Sequence, residues 1–106
     1  MRVFALSNCD TCRKALSDLR AAGHAPQVTD LREAGADDLA LIAAAFGDKA
    51  VNRSSTTWRG LDEATRALPV LDLISAHPTV IKRPVILHDR QWHQGWTPAV
   101  KAALGL

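Results

Sequence analysis

Val3-Phe4-Ala5-Leu6 is an uninterrupted apolar run, and straight after it Cys12, Ala15, Leu16, Leu19 and Ala22 recur at helical spacing. A strand that is apolar at every position has no face to offer water, so it must lie inside a sheet that is covered on both sides. The stripe that follows supplies a helix to cover it, and Gly23 is placed to stop that helix. "PQVTDL", Pro26 to Leu31, reads as a second strand. A strand, helix and strand in succession make a right-handed crossover and a parallel pair, so the opening third of the chain commits it to an α/β fold.

The middle of the chain is more helical. Leu39, Ile42, Ala43 and Phe46 fit one face of a helix that has Asp37 and Asp38 in its first turn and Gly47 at its end. "NRSSTTWRG", Asn52 to Gly60, breaks the apolar period and reads as a loop, in which Trp58 is either exposed or fills a small core. Helical turns are expected again over Asp62 to Leu68 and Val70 to Ala76, ending at His77 and Pro78. "PVILH", Pro84 to His88, and "QWHQ", Gln91 to Gln94, are separated only by Asp89 and Arg90, which predicts a tight hairpin. Thr97 then caps a last helix with Pro98 at its first position and Val100, Ala103 and Leu104 facing inward.

The order is therefore β-α-β, a helical insertion at about residues 35–77, then β-β-α. With a Cys-x-x-Cys pair at the first strand-to-helix turn, this is what a thioredoxin-like fold shows. Its 106 residues predict a single domain over 1–106, because separate cores rarely form below about 50 residues each. Hydrophobic residues at 47% and charged residues at 23% argue against disorder, and the net charge of +2 comes from charges of alternating sign. No dense basic face is present, so direct nucleic-acid binding is not expected. The apolar runs are too short for a secretory leader or a membrane span, which predicts a cytoplasmic protein without membrane attachment.

In a reducing compartment two closely spaced cysteines point to catalysis or metal binding before a structural disulfide. Cys9 falls at the start of the first helix, where unpaired N–H groups and the helix dipole favour an anion, so its thiolate is the expected nucleophile. Arg13 and Lys14 favour that thiolate, and Asp10 opposes it. Cys12 is three residues on and shares the helical face, close enough to attack a mixed disulfide on Cys9. It also lies on the apolar stripe, so a buried core thiol without redox duty is the competing reading. A zinc site would need Cys9 and Cys12 to join His88 and His93, but the pairs are about 75 residues apart and the histidines flank a tight hairpin. No metal is expected, and His24 and His77 read as surface or strand residues.

A thiolate that attacks an oxyanion has to overcome like-charge repulsion, which calls for guanidinium forks. Arg13, Arg53 and Arg83 are the candidates, from three separate segments, and Pro84 makes the Arg83–Pro84 bond a place where a cis peptide would turn the chain sharply.

Four stretches in order, "NCDTCRKA", "RSSTTWRGLDE", "HPTVIKRPVIL" and "QGW", together resemble the arsenate reductase (ArsC)/Spx family, and most closely its small YffB-type members. The resemblance covers nearly the whole chain. It implies a thioredoxin-like fold with a helical insertion, places the nucleophile on Cys9 and a cis-proline on Pro84, and matches Arg83 to the oxyanion-binding arginine before that proline. Arg13 follows the motif as it does in family members, and Arg53 matches in the middle loop to within one residue. The chain also departs from the glutaredoxin-dependent arsenate reductases. Ala5 stands where they carry a histidine, and Gly95 and Trp96 stand where they carry an arginine. Cys12 falls where Spx regulators, but not those reductases, have a second cysteine.

The resemblance implies a thiol-dependent reductase with no bound cofactor, acting on a small oxyanion such as arsenate or on a disulfide. Glutathione, with glutaredoxin as a further partner, would supply the electrons, and glutathione or Cys12 would resolve the intermediate. The alternative is a Spx-like redox-sensing regulator in which Cys9 and Cys12 form a switch and RNA polymerase is the partner. The "TTWRGLDE" stretch resembles the reductase-like branch more than Spx.

Overall fold

The computed structural model describes all residues 1–106. They group into two compact units, one made of Met1–Glu33 with Arg83–Leu106 and the other of Ala34–Lys82. The first unit has the thioredoxin-like order: β1 (Arg2–Ala5), α1 (Asp10–Ala21), β2 (Gln27–Asp30), β3 (Val85–His88), β4 (Gln91–Gln94) and α6 (Pro98–Ala103). The second contains α2 (Ala36–Phe46), α3 (Thr56–Arg59), α4 (Glu63–Arg66) and α5 (Val70–Ala76). No helix is long and apolar enough to cross a membrane.

In the first unit the strands lie in the order β2-β1-β3-β4. β1 runs parallel to β2, with Val3 opposite Val28, and antiparallel to β3, with Val3 opposite Ile86. Alternation sends Val3, Ala5 and Ile86 to one face, where they form a core with Cys12 and Leu19 of α1 and with Leu104. On the opposite face Phe4 stacks on Trp92 with ring centroids 6.0 Å apart, and the Arg2 guanidinium lies 4.7 Å from the Phe4 centroid. Phe4 has no exposed surface, as the apolar run predicts for a strand covered on both sides. At the β3–β4 turn Asp89 and Arg90 both have positive φ, 49° and 65°, the backbone of a two-residue hairpin turn whose twist matches the strands.

α1 keeps the expected stripe in part. Cys12, Ala15 and Leu19 are buried, Leu16 is half-buried, and Ala22 is exposed because the helix has ended and the chain is turning through Gly23 at φ 93°. At the other end of the unit Thr97 Oγ1 accepts the Val100 N–H at 3.2 Å and Pro98 opens α6, as the sequence predicts. Ala103, expected to face inward, is exposed: in so short a helix Val100 and Leu104 alone reach the core.

The second unit packs α2 against α5, which bury Leu39 and Ile42 and Leu73 and Ile74 respectively, and Ala50, Val51, Val80 and Ile81 are buried with them. Ala43 and Phe46, expected on the same face, are only half-buried. The insertion runs on to Lys82 and does not stop at 77, because the Pro78–Val80 turn folds back on it: Asn52 N–H donates to Val80 O at 2.9 Å and Lys82 N–H to Ala50 O at 2.8 Å. The segment expected to be a loop over Asn52–Gly60 holds a short helix, α3. Ser55 makes it possible, since its Oγ accepts the Trp58 N–H at 3.1 Å and donates to Asn52 O at 2.7 Å. Trp58 is half-buried, with the Arg53 and Arg66 guanidinium groups 5.5 Å and 5.2 Å from its ring centroid.

Candidate active site at Cys9

Cys9 is the N-cap of α1. Its backbone is extended, at φ −105° and ψ 115°, its carbonyl accepts the Arg13 N–H at 3.0 Å, and its Sγ accepts the Cys12 N–H at 3.3 Å. A sulfur in the cap position receives an otherwise orphaned N–H and the positive end of the dipole of a 12-residue helix, and both favour the thiolate. The strand places it there: β1 ends at Ala5, and Cys9 N–H donates back to Leu6 O at 3.3 Å to close the turn.

Burial alone would push the Cys9 thiol up. Hydrogen bonds from the Cys12 thiol and backbone N–H, together with the hydrogen bond and positive charge of Arg83, outweigh it and hold its pKa below the ordinary 9.0. Cys12 goes the other way. Its side chain has no exposed surface, and burial plus the bond it donates to Cys9 pushes its thiol up to about 12. The two cysteines thus divide one proton unequally, with Cys9 disposed to be the anion and Cys12 to keep its hydrogen. No cluster of three or more histidine, cysteine or acidic side chains is placed to hold a metal ion.

Arg83, which bonds the Cys9 thiol, stands two residues before β3 and is joined by a cis peptide to the buried Pro84. Arg13 is on the first turn of α1, but its guanidinium pairs with Asp10 and donates to Ser7 O at 3.2 Å, so it is largely exposed and its charge is partly met. Arg53 is in the second unit, over Trp58. Two features of the site went unread in the sequence. Trp96 Nε1 donates to Asp18 Oδ2 of α1 at 3.0 Å, and Gly95, buried at φ 78°, donates its N–H to the Pro84 carbonyl at 2.9 Å. A glycine straight after a strand was the available signal for the second; nothing in the sequence marks Asp18.

A half-buried thiol of lowered pKa that caps the first helix of a thioredoxin-like sheet, with a guanidinium bonded to it, is the chemistry a cysteine-based redox site calls for. The ArsC family matches residues 4–103, and the chain belongs to that family. It is 40% identical to an uncharacterized protein of Haemophilus influenzae, with 82% of each chain covered. Among solved structures it is similar to a protein named YffB, at 32% identity and TM-score 0.85 over 97% of this chain and 96% of that one. It is also similar to an arsenate reductase (ArsC) related protein from Brucella melitensis, at 28% identity and TM-score 0.75 over 99% and 94% of the two chains. At the level of the family these likenesses support a thiol-dependent reductase.

Proposed function

We propose that this protein is a glutathione-dependent thiol reductase in which Cys9 attacks a small oxyanion such as arsenate, or a disulfide. The observation that carries the reading is the Cys9 sulfur at the α1 cap, bonded by the Cys12 N–H at 3.3 Å and by Arg83. With a disulfide, the thiolate bonds one sulfur and the other leaves as a thiolate that takes up a proton. With an oxyanion, Cys9 bonds the central atom as an oxygen leaves as water, and attack on the Cys9 sulfur by a second thiol passes two electrons to that atom. Arg83 steadies the negative charge that gathers as sulfur and substrate meet. Arg13 stands one turn along α1 as a second cation, and Arg53 enters the proposal on its sequence motif alone.

The second thiol is glutathione, delivered directly or through glutaredoxin, or Cys12. Residues three apart on a helical turn have Cα atoms about 5 Å apart, within the range a disulfide spans. Glutathione-coupled turnover of arsenate and of a mixed disulfide tests the proposal; absence of both activities, with Cys9 intact, would overturn it. Mass spectrometry after treatment with glutathione disulfide assigns the resolving thiol. The wild type is expected to close a Cys9–Cys12 disulfide, whereas Cys12→Ser retains glutathione on Cys9; persistent glutathione on the wild type excludes Cys12 as the resolving thiol. The same thiol pair suits a redox switch of the Spx kind, a reading that requires capture of the RNA polymerase α subunit by the purified protein.

A further inference from the structure

The turn after β4 holds both of the segments that meet at Cys9, the helix it caps and the segment that carries Arg83. On one side the Gly95 N–H donates to the carbonyl of Pro84 at 2.9 Å, and Pro84 carries Arg83 on its other flank. On the other, the Trp96 indole N–H donates at 3.0 Å to Oδ2 of Asp18, which belongs to the helix that Cys9 caps. The Trp96 ring lies against the core of Val3, Ala5, Cys12, Leu19, Ile86 and Leu104, against which Cys9 also packs. The Lys101 ammonium, 5.7 Å from the ring centroid, sits on the ring. Indole has a single donor and no acceptor, so a Trp96 bonded to Asp18 has no hydrogen bond left to offer a substrate. Its chemistry is spent inside the protein.

We propose that Trp96 is a positioning residue for the Cys9 thiolate: tied to α1 through Asp18 and to the Arg83–Pro84 segment through Gly95, it fixes the distance between the Arg83 guanidinium and the Cys9 sulfur. This rests on the reading of Cys9 as the nucleophile. Both the hydrogen bond and the charge attraction from Arg83 weaken as the two segments drift apart, so loosening the tie returns Cys9 toward an ordinary thiol.

The test is the pH profile of Cys9 alkylation by iodoacetamide in the reduced full-length chain, with the site of modification read by mass spectrometry and no substrate present. Trp96→Phe keeps a ring in the core and loses the indole donor, and Asp18→Leu loses the acceptor. Each is expected to move the profile to higher pH and slow alkylation at pH 7 by about threefold. The double variant should be no slower than either single one, because both changes break the same bond. Asp18→Asn, which keeps an oxygen acceptor, should follow the wild type, an outcome that general loosening of the core would not produce. A Trp96→Phe profile that superposes on a low-pH wild-type profile overturns the inference and leaves the Cys9 reading standing, as does Asp18→Asn behaving like Asp18→Leu. A wild-type profile at the ordinary thiol position removes the Cys9 reading itself.

Discussion

At Cys9 burial and hydrogen bonding pull in opposite directions, and the bonds prevail. Cys12 lowers it most, through its thiol and its backbone N–H, and Arg83 adds a hydrogen bond and its positive charge, which can be removed without disturbing the buried Cys12. Arg83→Met keeps the aliphatic stem and removes the guanidinium. It is expected to raise the Cys9 pKa toward 9.0 and to slow reaction with thiol reagents at neutral pH by about tenfold, while the rates converge above pH 9, where both thiols are ionised. Stopped-flow kinetics with a chromogenic disulfide from pH 5 to 10 measures this; parallel curves with no convergence would assign Arg83 to substrate binding and not to ionisation. The place of Cys9 at the cap of α1 was legible from the sequence, because a strand followed by a helical stripe leaves the turn between them little choice of position. The opposite drift of the two thiols was not, since it depends on how deeply Cys12 sinks between β1, α1 and Leu104.

At the scale of elements, periodicity and caps carried most of the fold. The Asp89–Arg90 turn and the Thr97–Pro98 cap stand where the pattern predicts, and the first strand, expected over Val3 to Leu6, falls one residue earlier at Arg2–Ala5. The segment over Asn52–Gly60 was misread because α3 has only four residues, too few for any apolar period, and exists through the side chain before it. The Ser followed by Thr-Thr-Trp was the overlooked cap signal. Ser55 is nearly buried and uses its hydroxyl twice, so Ser55→Ala removes one bond donated to Asn52 O and one accepted from Trp58 N–H. The expected loss is about 1–2 kcal/mol of stability in urea denaturation with the slope unchanged. A loss below a few tenths would mean that α3 stands without its cap. Arg66 offers a second support, since its guanidinium donates to the carbonyls of Trp58 and Arg59 at the C-terminal end of α3.

At the scale of the whole molecule the two thiols make stability depend on pH in a specific shape. Cys9 titrates below 9.0 in the folded chain, so between its lowered value and 9.0 the unfolded chain holds a proton that the folded chain lacks, and stability climbs with pH. Cys12 titrates at about 12 in the folded chain, so between 9.0 and about 12 the folded chain holds the proton that the unfolded one has lost, and stability falls. The difference in unfolding free energy between the reduced wild type and a Cys9→Ser/Cys12→Ser variant should therefore peak near pH 9. Denaturation curves at intervals from pH 7 to 11 measure it, and a difference flat across that range contradicts the division of the proton. The α/β class and the helical insertion are legible in the sequence because βαβ and ββα orders admit few topologies. The tie of Lys82 to Ala50 is not, since it joins residues far apart in the chain, which no local pattern records.

The cap of α1 has one more consequence. The group that seals the first turn of the helix is the same sulfur that is proposed to react, so each covalent event there also unseals the turn. A sulfur bound to another sulfur is no longer an anion, and it accepts the Cys12 N–H far less well. The opening of α1 then becomes a gauge of oxidation state, with the Cys12 amide exchanging its hydrogen slowly while Cys9 is reduced and faster once it is occupied.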